Sequence, residues 1–512
     1  MSTLEQRIAS LANEYLPLAR QILAEAIRVP ADYVDLPPEQ GGDPLCGTSN
    51  HESPRLEGLR MAIISCGAVR SPRDVGFDAF GNLVWTVEDP GDGIPRAEKR
   101  VIYWDGHSDT VAALRSQWRA KLGGIDAYDG LSDPTRVDRG FLRSQLGWLP
   151  PDAEWEHLLF GRGSADQLGG VVAQVVASKI LLELCDRGAL RGVIVRSYAT
   201  VAEEDNDGGG PMHLMRRELL GASPDKVPDV VILTEGTGCA KLGALGIYRG
   251  QRGRMQIELA VVGRSCHGSM PWEGLNPLEY GGAIVAEAAQ AYQRREGFLD
   301  HAFLGHGTRT ASWARLDTPS DCAVPDRFVV RFDRRLTVGE TAEQALADVE
   351  ALPSVARARA AGLQVSVSVP RYTSPTWRGA HPDNPAIYPG WVTPEDHPAI
   401  QAAVKAYRDV ITPRIPAKTP QRGGNLRHEP RVARWIFSTD GVGFPLPVAD
   451  TSVPVPERKG WVVSGAVKHP AMLGLGPGIE QNTHKIGECL DLRELEHAIA
   501  FLACFPSAFA AR

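Results

Sequence analysis

Short apolar runs punctuate the first half of the chain: Val101–Trp104, Val193–Val201 and Val230–Leu233. Runs of this kind predict strands buried on both faces of a parallel sheet. Between them the period turns helical. In Gly170–Asp186 the residues Val172, Val176, Ile180 and Leu184 recur every fourth position. This alternation of strand and helix predicts an α/β fold, a mixed and mostly parallel sheet flanked by helices. Met1–Pro30 reads as one amphipathic helix, its apolar face interrupted by Glu5, Arg7, Glu14, Arg20 and Glu25.

The pattern changes near Gly250. Met255, Ile257, Leu259 and Val261 alternate along a strand, Met255–Val262, and a helix follows over Pro277–Arg294. Strands at Thr308–Leu316 and Arg327–Leu336, a helix at Thr341–Leu352 and a strand at Leu363–Val369 complete a β-α-β-β-α-β order, the ferredoxin-like plan. The expected organisation is a catalytic domain in two parts, residues 1–249 and 373–512, interrupted by an inserted α+β domain over 250–372. The second part carries a helix at His397–Val410 and a last core strand at Met472–Leu475. Residues 31–55, rich in Pro, Gly and Asp, read as a surface loop. Residues 112–159 are a long insertion containing Trp118, Trp148 and Trp155; it is either a lid or specificity element or a surface excursion.

At 512 residues the chain is too long for one ordinary core, in keeping with two domains. A net charge of −7 and a pI near 6.0 argue against a nucleic-acid partner. No apolar stretch is expected to reach the roughly 20 residues needed to span a bilayer, and the N-terminus lacks the unbroken apolar core of a signal peptide. The eight cysteines are scattered without a C-x-x-C pair. Reduced thiols and a cytoplasmic location are expected.

Polar residues gather where the predicted strands stop. Val101–Trp104 runs into Asp105-Gly106-His107-Ser108-Asp109, Val193–Val201 into Glu203-Glu204-Asp205, and Val230–Leu233 into Glu235. Open α/β sheets bind ligands beyond the carboxyl ends of their strands, so these groups are expected to share one crevice. Asp166 precedes a helix, and His484 follows the last core strand. Two imidazoles and three carboxylates suit a pair of borderline divalent cations, zinc foremost, with cobalt and manganese also compatible. Such a pair polarises a carbonyl and lowers the pKa of water. Of the adjacent Glu203 and Glu204, one can bind metal and the other stay free as a general base.

At this point the chain resembles a known family, the metallopeptidases and deacylases that include acetylornithine deacetylase, succinyl-diaminopimelate desuccinylase and carboxypeptidase G. The matching segments, in family order, are GHSDTV (106–111), GRGSADQLGG (161–170), EED (203–205), TEG (234–236), SCHGSMP (265–271), DRRL (333–336) and GPG…H (476–484). GRGSADQLGG, YRGQRGRM (248–255) and DRRLTVGET (333–341) look most similar to a hydrolase subgroup linked by gene context to selenium metabolism. The resemblance implies a zinc-exopeptidase-like catalytic domain with an inserted ferredoxin-like domain. It also implies roles for individual residues. His107 and Glu235 would hold one metal, Glu204 and His484 the other, and Asp166 would bridge them. Asp109 would orient His107, and Glu203 would be the general base. His267 would reach the partner subunit's site and stabilise an oxyanion. Arg335 would bind a substrate carboxylate, and the loop of Gly476 and Gly478 would line the substrate pocket. A homodimer through the inserted domain follows from the same likeness.

Other readings stay open. His267 could instead be a turn residue satisfied by backbone, Arg335 could pair with Asp333, Arg334 could take its place, and Asp205 could replace Glu204. Ala112 and Gly236 stand where the family often has Pro, and Cys322-Ala323 precede Val324-Pro325-Asp326 where an Asn is common. These departures bear on substrate identity. The expected activity is a two-metal hydrolase of an amide bond, N-acyl amino acid or dipeptide-like, in a small carboxylate-bearing substrate. The alternatives are an aminopeptidase, a hydrolase of a ring amide or carbamoyl group, and a non-catalytic binding protein on the same scaffold.

Overall fold

The computed structural model describes residues 2–31, 52–415, 424–449 and 454–511. The chain opens with two helices, α1 (Leu4–Glu14) and α2 (Leu16–Ile27), where the pattern predicted one. Pro17 is the cause. It has no N–H and its ring crowds the carbonyl four residues back, so it fits only the first turn of a new helix. Of the expected 31–55 loop, residues 32–51 lie outside the described residues, and a helix begins at Ser53.

Strands β1 (Val75–Phe77), β2 (Leu83–Glu88) and β3 (Arg100–His107) precede helix α3 (Gly169–Glu183). After it come β4 (Val193–Thr200), β5 (Val230–Leu233) and β6 (Ile247–Gln251). At Arg252 the chain passes to a second sheet, built from β7 (Gly253–Val262), α4 (Pro277–Gln293), β8 (Thr308–Asp317) and β9 (Arg327–Leu336). Helices α5 (Ala342–Glu350) and α6 (Pro353–Ala360) and strands β10 (Gln364–Ser368) and β11 (Ile387–Tyr388) complete it. The chain returns with β12 (Trp391–Val392), α7 (Pro398–Val410), β13 (Val432–Trp435), β14 (Ala471–Gly474) and α8 (Leu492–Ala510).

The first sheet runs β1-β2-β4-β3-β5-β14-β6-β12, with β13 joined to β6. Its centre is parallel (β4–β3, β3–β5, β5–β14), and its flanks are antiparallel apart from β13, which runs parallel to β6. The central strands feed two cores because their side chains alternate. Ile102 and Trp104 join the core formed with α1, α2, α3, α7 and α8, while Val101 and Tyr103 join Leu214, Met215 and Phe444 on the other face. The segment Ser164–Glu183 is, against expectation, long and apolar enough to cross a bilayer, yet its window is 83% buried inside the fold. It is apolar all round because it is covered on every side.

The second sheet runs β8-β9-β7-β10, antiparallel throughout, with β11 also on β7. This is the ferredoxin-like order, with helices packed on one face around Ile257, Leu259, Ile284, Val330 and Val355. Its second crossover holds two helices where one was predicted, because Pro353 starts a new first turn. With β11 still on this sheet, the chain crosses back after Tyr388 rather than near residue 372.

The 112–159 insertion is folded in its own right. Helices Arg115–Lys121 and Arg139–Gln145 close over Trp118, Leu122, Leu142 and Trp155, and this small core continues into Ile486 and Cys489.

Two glycines test this packing from opposite sides. Gly282 lies on the outer face of α4 with open space around a Cβ, whereas a Cβ on Gly170 in α3 would fall 2.1 Å from the Thr234 carbonyl oxygen. Gly282→Ala is expected to stabilise by about 1 kcal/mol, and Gly170→Ala to destabilise by at least about 1–3 kcal/mol. Urea unfolding midpoints should move in opposite directions; a Gly170→Ala protein as stable as wild type would contradict the packing of α3 on β5.

Candidate metal centre

β3, β4 and β5 end side by side and open into one crevice. β3 ends on His107 itself. Beyond β4, Ala202 takes a left-handed conformation (φ 59°) that turns the chain into the short helix Glu203–Asn206. The turn is held by Asp109, whose carboxylate accepts the N–H groups of Glu203 (3.2 Å) and Glu204 (3.0 Å). Glu235 follows β5; it accepts from its neighbour Gly236 N–H at 3.1 Å and from Gln167 Nε2 at 2.6 Å.

Asp166 lies between the two histidines. Its Oδ1 is 2.9 Å from His107 Nε2, and its Oδ2 is 2.9 Å from His484 Nε2. His107 Nε2 is also 3.6 Å from Glu235 and 3.9 Å from Glu203, and His484 Nε2 is 3.3 Å from Glu204. Donor atoms of His107, Asp166 and Glu204 all fall within 4.8 Å of one another. On the far side of its ring, His107 Nδ1 donates to the Asp109 backbone carbonyl at 3.0 Å, with the Asp109 carboxylate at 3.4 Å. That fixes the ring so that Nε2 points into the crevice.

A buried ion pair joins the two loops that supply Asp166 and His484. Arg162 and Glu488 meet at 2.6 Å with side chains only 1% and 0% exposed. The other oxygen of Glu488 accepts the N–H groups of Ala165 (3.1 Å) and Asp166 (3.2 Å), and Arg162 reaches the His484 carbonyl at 3.4 Å.

The cluster demands positive charge. Burial alone would lower the His484 pKa, but hydrogen bonds donated by its ring to Asp166 and Glu204 drive it up to about 11. For His107, burial is likewise overcome by Asp109, Asp166 and Glu235, so the ring is held well above its ordinary value. Burial would raise Asp166, yet its two histidines hold it below the usual carboxylate range. Glu235 rises to about 7, from burial and then the charge of Asp166, and burial pushes Glu203 well up. Protons on the two imidazoles thus balance the carboxylates. Divalent cations answer the same demand with neutral imidazoles, and the donor set of imidazole nitrogens and carboxylate oxygens fits them.

His107, Asp166, Glu203, Glu204, Glu235 and His484 are therefore brought together. Glu204, rather than Asp205, is the carboxylate that meets His484. Arg335, rather than Arg334, lines the adjoining cavity of about 440 Å³; Arg334 is buried against Glu340 at 2.8 Å. Arg335 also makes the ion pair weighed for it, with Asp333 at 2.7 Å and 3.0 Å. His267 does not reach this cavity within its own chain: it is exposed on the second sheet's side, its Nδ1 accepting from Ser269 N–H at 3.1 Å. Gly476 and Gly478 do not line the cavity either. Both are buried behind it, where a Cβ would come 1.8 Å from Thr234 O and 2.8 Å from Ala165 O respectively; they are small because the backbones touch.

Several residues of the site carried no local signal. Arg254, which lies in the YRGQRGRM string, contacts Asp207, and its Nε is 3.5 Å from Asp333. Ser438 donates to Asp207 at 2.8 Å and accepts from Arg335 at 3.0 Å. These side chains close a ring, Arg335–Asp333–Arg254–Asp207–Ser438, along the cavity wall. Gln167 lies within the GRGSADQLGG segment and Glu488 four residues beyond His484, but only their distant partners reveal a role.

The chain is similar to known proteins. Residues 249–358 match the peptidase dimerisation domain family. The chain is 32% identical over 432 residues to the uncharacterised protein YgeY of Escherichia coli strain K12, covering 84% of each. A probable succinyl-diaminopimelate desuccinylase of Staphylococcus aureus strain MRSA252 is 31% identical over 171 residues, 32% of this chain and 37% of that one. The fold is similar to that of an M20 family metallo-carboxypeptidase from Sulfolobus solfataricus, with a TM-score of 0.58 at 13% identity over 96% of this chain and 98% of the other. With its strand-end cluster of histidines and carboxylates and its ferredoxin-like second sheet, the chain belongs to the M20 family of metallopeptidases and deacylases and is a metal-dependent hydrolase of peptide or amide bonds.

Proposed function

We propose that the protein is a two-metal amidohydrolase acting on an N-acyl amino acid or dipeptide-like substrate that bears a carboxylate. The observation that carries this reading is Asp166, each of whose oxygens stands 2.9 Å from a different imidazole Nε2. A carboxylate so placed is suited to bridge two ions. His107 and Glu235 would hold one divalent cation and Glu204 and His484 the other, zinc first, with cobalt or manganese as alternatives. Bound there, the pair would polarise the scissile carbonyl and make water acidic.

Glu203 is the proton carrier in this proposal. It is buried at the crevice mouth, and burial favours its protonated form, so it can take a proton from water and pass it to the leaving nitrogen. Asp109 keeps it in place through the Glu203 N–H. Arg335 would receive the substrate carboxylate with its planar fork. His267 would act in the partner subunit's crevice, steadying the oxyanion; its exposure and the dimerisation-domain match support a homodimer. The unpaired state of the described cysteines supports a cytoplasmic location.

Glu203→Gln is expected to lower kcat on the order of 10²–10⁴-fold while zinc content, read by elemental analysis, stays at the wild-type value. Turnover unchanged in that variant would remove Glu203 as the base. A mixing experiment tests His267. Glu203→Gln and His267→Ala chains, each inactive alone, should regain activity when co-expressed, because a mixed dimer has one crevice with Glu203 and a partner's His267 both intact. Absence of any recovery in dimers shown to be mixed would place His267 outside the reaction.

A further inference from the structure

The 112–159 insertion packs beside the Glu204–His484 side of the cluster, and its Ala127 carbonyl accepts the Arg162 N–H at 2.9 Å on the loop that leads to Asp166. Val111, the residue that leads into the insertion, donates its N–H to Glu204 Oε1 at 3.1 Å. Further on, Asn482, which is 1% exposed, accepts the N–H groups of Gly147 (2.8 Å) and Trp148 (3.1 Å) through Oδ1. The same side chain donates from Nδ2 to the Trp148 carbonyl at 2.8 Å, so all its polar atoms are spent on the insertion. Lys485 Nζ donates to the Gln145 carbonyl at 2.8 Å. Gly487 lies under Leu142, with no room for a Cβ. Asn482 and Lys485 flank His484, which is held in a left-handed conformation (φ 60°) while its side chain remains 51% exposed. A non-glycine residue in that region costs of order 1–3 kcal/mol and persists only where its surroundings impose it. His107 and Glu235, in the other half, are held by the Asp109 carbonyl and by Gln167 Nε2.

We infer that the insertion is the positioning element for the Glu204–His484 half of the metal pair, and that Asn482 is the positioning residue through which it acts. The inference rests on the two-cation reading above. The insertion is thus neither a surface excursion nor, at these contacts, a specificity lid. It fixes the backbone of a ligand that the strand ends do not hold.

The test titrates metal-free protein with zinc against a chromophoric chelator, for wild type, N482A, K485M, H484A and N482A/H484A. Wild type should take up two equivalents. N482A should bind one of them normally and the other about 10–100-fold more weakly, with a melting temperature of the metal-free protein close to wild type. K485M, at a less buried position, should weaken the same equivalent in the same direction, and it decides alone if N482A does not fold. In the H484A background N482A should change nothing further. If wild type takes up fewer than two equivalents, the two-cation reading falls and this inference with it. If wild type takes up two but the variants weaken both equally, or neither, only the positioning role is overturned.

Discussion

Negative charge gathered out of water has to be balanced. Two like unit charges about 4 Å apart repel by about 4 kcal/mol at an effective dielectric near 20, and Asp166, Glu203, Glu204 and Glu235 crowd around two imidazoles in this crevice. The arrangement of the catalytic half answers that repulsion. Backbone N–H groups are aimed at Asp109 and Glu488, the Arg162 guanidinium is buried beside Glu488, and the imidazoles meet on Asp166.

Rigid elements make the balance possible. The parallel strands deliver His107, Glu203 and Glu235 from the middle of the sheet, where two cores clamp the backbone. Asp166 and His484 come from loops, and loops alone position side chains poorly. The Arg162–Glu488 pair converts those two loops into one unit. A buried pair of this kind is weak evidence of net stability; its value here is to fix the relative positions of two groups distant in sequence.

Much of this was legible in the chain itself. Val101–Trp104 and Val230–Leu233 read as strands because burial on both faces leaves no polar alternation, and the polar residues after them mark where the sheet opens. The β-α-β-β-α-β order after Gly250 was legible from its periods, since β7 alternates cleanly at Met255, Ile257, Leu259 and Val261. What was hidden depends on convergence. Ser438, Arg254 and Glu488 look ordinary where they stand, and only folding places them beside Arg335, Asp207 and Asp166. The glycines of the 476–478 loop invited a ligand-facing reading, but Thr234 O and Ala165 O occupy the space a Cβ would need. The break at Tyr15 and the restart at Pro353 were proline effects overshadowed by a continuous apolar stripe.

The ring along the cavity wall has a consequence for recognition. Arg335 is already gripped by Asp333 and Ser438, and Arg254 by Asp207. An anion received by Arg335, as proposed, would therefore enter by exchange, displacing an internal partner as it forms its own contact. Such a trade rewards a planar two-oxygen group that can replace Asp333 bond for bond, and offers little to an acceptor with a single oxygen. On that proposal, selectivity at this wall would be set by the difference between two ion pairs, and a poor match would leave the guanidinium where it was.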